Sequence, residues 1–143
     1  MILSTHRNIH STPEILFEAF ANPAHLANWW SARGKVNKIE VFDLKAGGEW
    51  IMTSKTPDGK TYTIRNQFVD VSKPNRISFL HTDPAPHFHM TMTFVAVSAT
   101  TTTLTWHMQF APNSQNEEFK PMIELANAEN INRLEIYLPK VKL

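Results

Sequence analysis

The chain contains no cysteine, which excludes disulfides, thiolate nucleophiles, zinc ribbons and iron–sulfur clusters. Charge is sparse as well: Asp, Glu, Lys and Arg make up 19% of the residues, below the ~25% usual for soluble domains. The 14 basic and 13 acidic side chains leave a formal net charge of +1, and the basic ones are scattered from Arg7 to Lys142. Phosphate recognition needs clustered cations, so no nucleic-acid partner is expected. No apolar run approaches the ~20 residues that span a bilayer, and the start, Met1 to Arg7, lacks a signal peptide's basic stretch and long apolar core. A cytoplasmic location without membrane association is therefore expected. Gly-x-Ser-x-Gly elbows, phosphate loops and His-Glu-x-x-His are missing too. The paired carboxylates Glu117-Glu118 fall near a helix start, where they complement the dipole. No catalytic residue is assigned.

What is present suits one domain over residues 1–143. The length and a hydrophobic content of 42% allow a single real core, burying roughly two-thirds of the unfolded surface. No linker, repeat or low-complexity tract divides the chain. Thr5 to His10 reads as extended. Ser11-Thr12-Pro13-Glu14 starts a helix, with capping-box spacing between Ser11 and Glu14, and Asn22-Pro23 restarts a second short one through Trp30. From Val36 to Phe110 the pattern is that of strands. Pro57-Asp58-Gly59 and Ser72-Lys73-Pro74-Asn75 form turns, and Asp83-Pro84-Ala85-Pro86 forms a loop. Phe88, Met90, Met92 and Phe94 alternate with polar residues, as do Leu104, Trp106, Met108 and Phe110. Period two with one apolar face means an antiparallel sheet covered on one side.

The cover is a helix from about Asn116 to Leu138. Its expected apolar stripe is Phe119, Met122, Ile123, Ala126, Ile131, Leu134 and Leu138, and Pro121 fits only its first turn or a kink. No charge cluster or exposed apolar stripe is expected on the surface.

With strand, two short helices, about six strands and a long helix, the chain resembles the START-like helix-grip superfamily (SRPBCC, birch-pollen-allergen-like fold). Within it, the chain is similar to the branch of homologues of the activator of the Hsp-ninety chaperone ATPase. The carrying residues are Arg7 with Pro13 and Phe17; Asn22-Pro23 with Leu26 and Trp29-Trp30; Asp43-Leu44-Lys45-Ala46-Gly47-Gly48-Glu49-Trp50; Pro57-Asp58-Gly59; and Asp70-Val71 with Pro74-Asn75-Arg76-Ile77. Two departures stand out: Asn66 where the family commonly has Gly, and Ala126-Asn127 where it commonly has Gly-Trp. The resemblance implies an α+β helix-grip fold, a curved antiparallel sheet of about six or seven strands around a long C-terminal helix. It also implies a cavity between them that in relatives commonly holds an apolar or amphipathic small molecule.

The residues expected to contact such a ligand are Trp30, Trp50, Met52, Phe79, His81, Met90, Met92, Trp106 and Met108, with Phe119 and Met122 from the helix. Aromatic faces suit flat apolar molecules and thioethers adapt to varied ones; a packed core needs the same residue types. His81 shares a strand face with Ile77 and Phe79, where it anchors a ligand oxygen, acts as an acid or base, or is simply satisfied by backbone or water. Arg7 and Arg65 are expected at the rim. His87-x-His89 has the spacing of a metal pair, but Phe88 and Met90 claim the inner face, and His107 falls opposite Thr91 or Thr93. Neither metal nor cofactor is therefore expected. The reading placed first is a binding module for a small hydrophobic molecule. Behind it stand a chaperone-ATPase-modulating module and a cavity enzyme using His81 on a polyketide-like substrate. Both monomer and homodimer fit.

Overall fold

Turn chemistry sets the element boundaries. The computed structural model describes residues 1–30 and 36–143. After strand β1 (Ile2–Ile9), helix α1 (Pro13–Ala21) starts with Pro13 at its first position, where the missing N–H costs nothing. Thr12 is its cap, accepting from Ile15 N–H at 3.3 Å. The capping box expected from Ser11 does not form, because Thr12 takes the cap and Ile15, not Glu14, stands at the third helical position; Ser11 N–H donates to Ile9 in the turn leaving β1. Asn22 serves two helices: its N–H closes α1 on Glu18, and its side chain caps α2 (Pro23–Trp29) through Ala24 N–H at 3.0 Å.

Six strands follow: β2 (Val36–Phe42), β3 (Glu49–Lys55), β4 (Thr61–Ser72), β5 (Arg76–Asp83), β6 (Phe88–Ala96) and β7 (Thr102–Phe110). With β1 they make one antiparallel sheet in the order β1-β7-β6-β5-β4-β3-β2. The chain has the α+β helix-grip architecture. Pairing aligns Phe79 with Met90 and Met108, and Ile77 with Met92 and Trp106, so the alternation read from sequence produces one continuous apolar face. His107 sits opposite Thr91.

Helix α3 (Ser114–Tyr137), followed by a 3-10 turn (Leu138–Lys140), packs across that face. Its phase differs from expectation. Ile131, Leu134 and Leu138 are buried, but Met122 is 62% exposed, and Asn116 and Asn127 occupy the buried side. At about 100° per residue these asparagines share the arc of Ile131, whereas Met122 lies half a turn away. The asparagines are accommodated by bonds: Asn116 Nδ2 donates to Ala111 O at 3.0 Å, and Asn127 Nδ2 lies 3.3 Å from Met108 Sδ. A stripe of Met122, Leu125 and Ile136 is thereby exposed, contrary to the expectation of none. Pro121 stands inside the helix, past its first turn; the Glu117 carbonyl it leaves without an N–H is on an exposed residue that water reaches. Arg7 points toward α3, donating to Asn132 Oδ1 at 2.6 Å and Glu135 Oε1 at 2.8 Å, while Arg65 is exposed. Among the described residues, no helix is long and apolar enough to cross a membrane.

The Asp43–Trp50 segment depends on Gly48. A Cβ there would stand 1.9 Å from the Asp43 carbonyl oxygen, while the Gly48 carbonyl accepts from Phe68 N–H at 2.8 Å. Gly48→Ala is expected to destabilise by about 3 kcal/mol or more, because backbone must move. Gly59→Ala meets no atom but must hold a φ of +87°, so a loss of about 1–2 kcal/mol is expected. Denaturant unfolding of both variants checks the order.

Candidate functional site

The concave face is built from rings. Phe20 of α1 lies 5.6 Å from Trp50 and 6.4 Å from Phe79, centroid to centroid. Trp30, just past α2, is 5.3 Å from Trp50, 5.4 Å from Trp106 and 5.5 Å from Phe20. Trp29 stacks on Trp106, and its Nε1–H donates to Ala19 O at 3.0 Å. Trp50, Met52, Phe79, Met90, Met92, Trp106 and Met108 are all buried, as expected, and Trp30 is half-buried. Phe119 is half-buried on α3; Met122 does not join them. Among the described residues, four buried side-chain polar atoms have no partner: Asn37 Oδ1, Ser54 Oγ and, within the ring cluster, the donors Trp50 Nε1 and Trp106 Nε1. An unmade bond of this kind costs roughly 1–3 kcal/mol each.

A groove of about 580 Å³ opens where β5 and β7 end and β6 begins, near the start of α3. Its apolar wall comes from Leu80, Phe88, Phe110 and Pro112, its polar edge from His87, His89 and Gln109. Of the residues expected to contact a ligand, only His81 borders it. Phe88 joins the groove to the interior: it stacks on His81 at 4.8 Å and meets Phe79 at 6.4 Å and Phe110 at 5.4 Å. The alternation in β6 and β7 marked Phe88 and Phe110 as inward-facing. That they end at an opening depends on where the loop Asp83–Pro86 and the Ala111-Pro112 turn come to rest.

His81 is satisfied by its neighbours. Nε2 donates to Pro84 O at 2.6 Å, and Nδ1 lies 2.9 Å from the Asn66 amide. The charged ring donates from both nitrogens, whereas the neutral ring requires Asn66 to turn its NH₂ toward Nδ1. Burial pushes the His81 pKa below its ordinary 6.5; the Pro84 bond opposes this, nearby His87 adds to it, and Asp83 opposes it. Asn66 is thus the side chain that meets this imidazole. Two other histidines bond on the sheet's other face: His89 Nε2 pairs with Ser78 Oγ at 2.5 Å, and His107 Nδ1 with Ser4 Oγ at 3.1 Å. Among the described residues, no group of three or more His, Asp or Glu side chains is arranged to hold a metal ion.

With its folded pKa depressed, His81 binds its proton more readily in the unfolded chain. Its contribution to stability is therefore complete above about pH 6.5 and is lost as pH falls toward the folded pKa. Asn66→Asp supplies a carboxylate to Nδ1 and is expected to raise the His81 pKa and shrink this acid loss. Histidine-resolved NMR titration of the two proteins tests both signs.

Comparison with known proteins follows this geometry closely. A sequence comparison with curated proteins found no match. The solved structure of a protein from Rhodobacter sphaeroides superposes with a TM-score of 0.87 at 22% identity, covering 98% of this chain and 93% of that one. A protein from Nitrosomonas europaea gives a TM-score of 0.86 at 18% identity, with 98% and 95% covered. The AHSA1 protein from Silicibacter pomeroyi gives 0.80 at 19% identity, with 97% and 98% covered. At these identities the likeness speaks for the fold. The family described as Activator of Hsp90 ATPase homolog 1-like protein (AHSA1) matches residues 10–138, nearly the whole sheet-and-helix unit, and the chain belongs to that family.

Proposed function

We propose that this protein is a cytoplasmic binding module for a small hydrophobic or amphipathic molecule, held at the concave face beneath α3 and entered at the Phe88 end. The observation that carries this reading is the groove of about 580 Å³, whose Phe88 is in ring contact with Phe79, itself packed on Trp50 of the aromatic cluster. Its volume falls within the range of roughly 300–1,000 Å³ common for small-molecule sites, and its walls are apolar with a few convergent polar groups. A ligand burying about 300 Å² of apolar surface gains roughly 7 kcal/mol, part of which association costs offset. Micromolar affinity follows without any special polar contact. The two free indole donors favour a ligand that also carries an acceptor oxygen. His81, with both ring nitrogens engaged, acts as part of the wall rather than as an acid or base.

Native mass spectrometry of freshly purified protein, followed by denaturing extraction, tests the reading. The expected result is a mass excess that releases a defined small molecule and falls at least tenfold in occupancy in Phe88→Ala. A clean mass together with no uptake of a hydrophobic fluorophore overturns it.

Trp50→Phe and Trp106→Phe provide a second check. Each removes a buried donor that has no partner, which offsets the lost ring volume. Melting temperatures of the ligand-free variants are expected to stay within a few degrees of the parent, while retention of the extracted molecule falls.

A further inference from the structure

Helix α3 carries a second apolar face that the fold does not use. Met122, Leu125 and Ile136 are 62%, 61% and 80% exposed, and at ~100° per residue they lie within about 60° of one another, opposite Ile131. Beside Ile136 the helix surface forms two hollows. One, of about 300 Å³, lies among Glu129, Asn132, Arg133 and Ile136. The other, of about 250 Å³, is bordered by Arg133, Ile136, Tyr137 and Lys140, with Asn28 of α2. The first foursome has the α-helical spacing i, i+3, i+4, i+7, the arrangement into which a side chain of a facing helix inserts in knobs-into-holes packing; the second runs from Arg133, Ile136 and Tyr137 of the helix onto Lys140 of the 3-10 turn.

We propose that this face pairs with the same face of a second copy of the chain, α3 against α3, antiparallel about a two-fold axis passing beside Glu129. That register places Leu125 of one copy over the first hollow of the other, and Met122 over the second. The spacing of the two protruding side chains then matches the spacing of the two hollows to within a residue. The same register sets Glu118 against Lys140 of the facing copy at both ends, an attractive pair on each side. A two-fold contact is isologous: each copy supplies both protrusions and both hollows, so the assembly closes at two chains. One repulsive feature is built in, because Glu129 meets its own counterpart at the axis. A single helix pair lies at the small end of stable interfaces, so a dissociation constant in the micromolar range is expected.

Sedimentation equilibrium on the full chain, from one to several hundred micromolar, tests the proposal. The 16.4 kDa chain is expected to approach twice its mass at the upper end. Leu125→Glu and Ile136→Lys, both at exposed positions, are expected to remain monomeric with an unchanged circular dichroism spectrum. Glu129→Gln is expected to lower the dissociation constant severalfold. Glu118→Lys should weaken pairing, and the double change Glu118→Lys with Lys140→Glu should restore it. A parent protein monomeric throughout overturns the proposal. So does a dimer that Leu125→Glu and Ile136→Lys leave intact, since such a dimer uses another surface. Loss without restoration in the charge exchange rejects the register.

Discussion

The packing of rings from α1 and α2 against the concave face of the sheet is the contact on which the rest of the molecule depends. Phe20 touches Trp29, Trp30, Trp50 and Phe79, so one side chain joins the two short helices to β3 and β5. Phe17 adds an edge contact to Phe94 of β6. Aromatic side chains bury about 150–250 Å² each, and their preferred edge and offset geometries limit the ways two short helices can sit on a curved sheet. The Asn22-Pro23 break is needed for this: it lets Phe20 and Trp29 approach the sheet from separate helices at different angles.

With the concave face occupied by α1 and α2 at one end, α3 is left to cover the remainder, and it does so unevenly. Its C-terminal half is fixed by Ile131, Leu134 and Leu138, by Arg133 donating to Trp29 O at 3.1 Å and by Tyr137 paired with His25 at 2.7 Å. Its N-terminal half contributes the half-buried Phe119 and Ile123. The groove at Leu80, Phe88 and Pro112 opens beside this less heavily packed half.

Much of this architecture could be read in the sequence because it rests on local rules. The turn at Pro57-Asp58-Gly59, the proline starts of α1 and α2 and the alternation in β6 and β7 act over a few residues. Counting through one hairpin put His107 opposite Thr91 or Thr93, and the register settles on Thr91. The phase of α3 could not be read in the same way. A search for apolar periodicity placed Met122 inside and ignored Asn116 and Asn127, yet the buried arc runs through both asparagines because Ala111 O, Met108 Sδ and Thr5 Oγ1 receive their amides. Those partners come from β1, β7 and the turn after β7. Only when sheet and helix are together do these buried amides find acceptors.

The sequence by itself determined the helix-grip order, the inward face of every strand in the best-patterned hairpin, and the absence of cysteine chemistry. Side-chain period and turn propensity are properties of neighbouring residues, so they survive without a tertiary frame. Tertiary structure alone decided that His81 is held between Asn66 and Pro84, that a groove opens at Phe88, and that α3 turns Met122, Leu125 and Ile136 outward. Each of these depends on groups distant in the chain meeting at one point, where a polar bond made or missed outweighs the preference of any single residue.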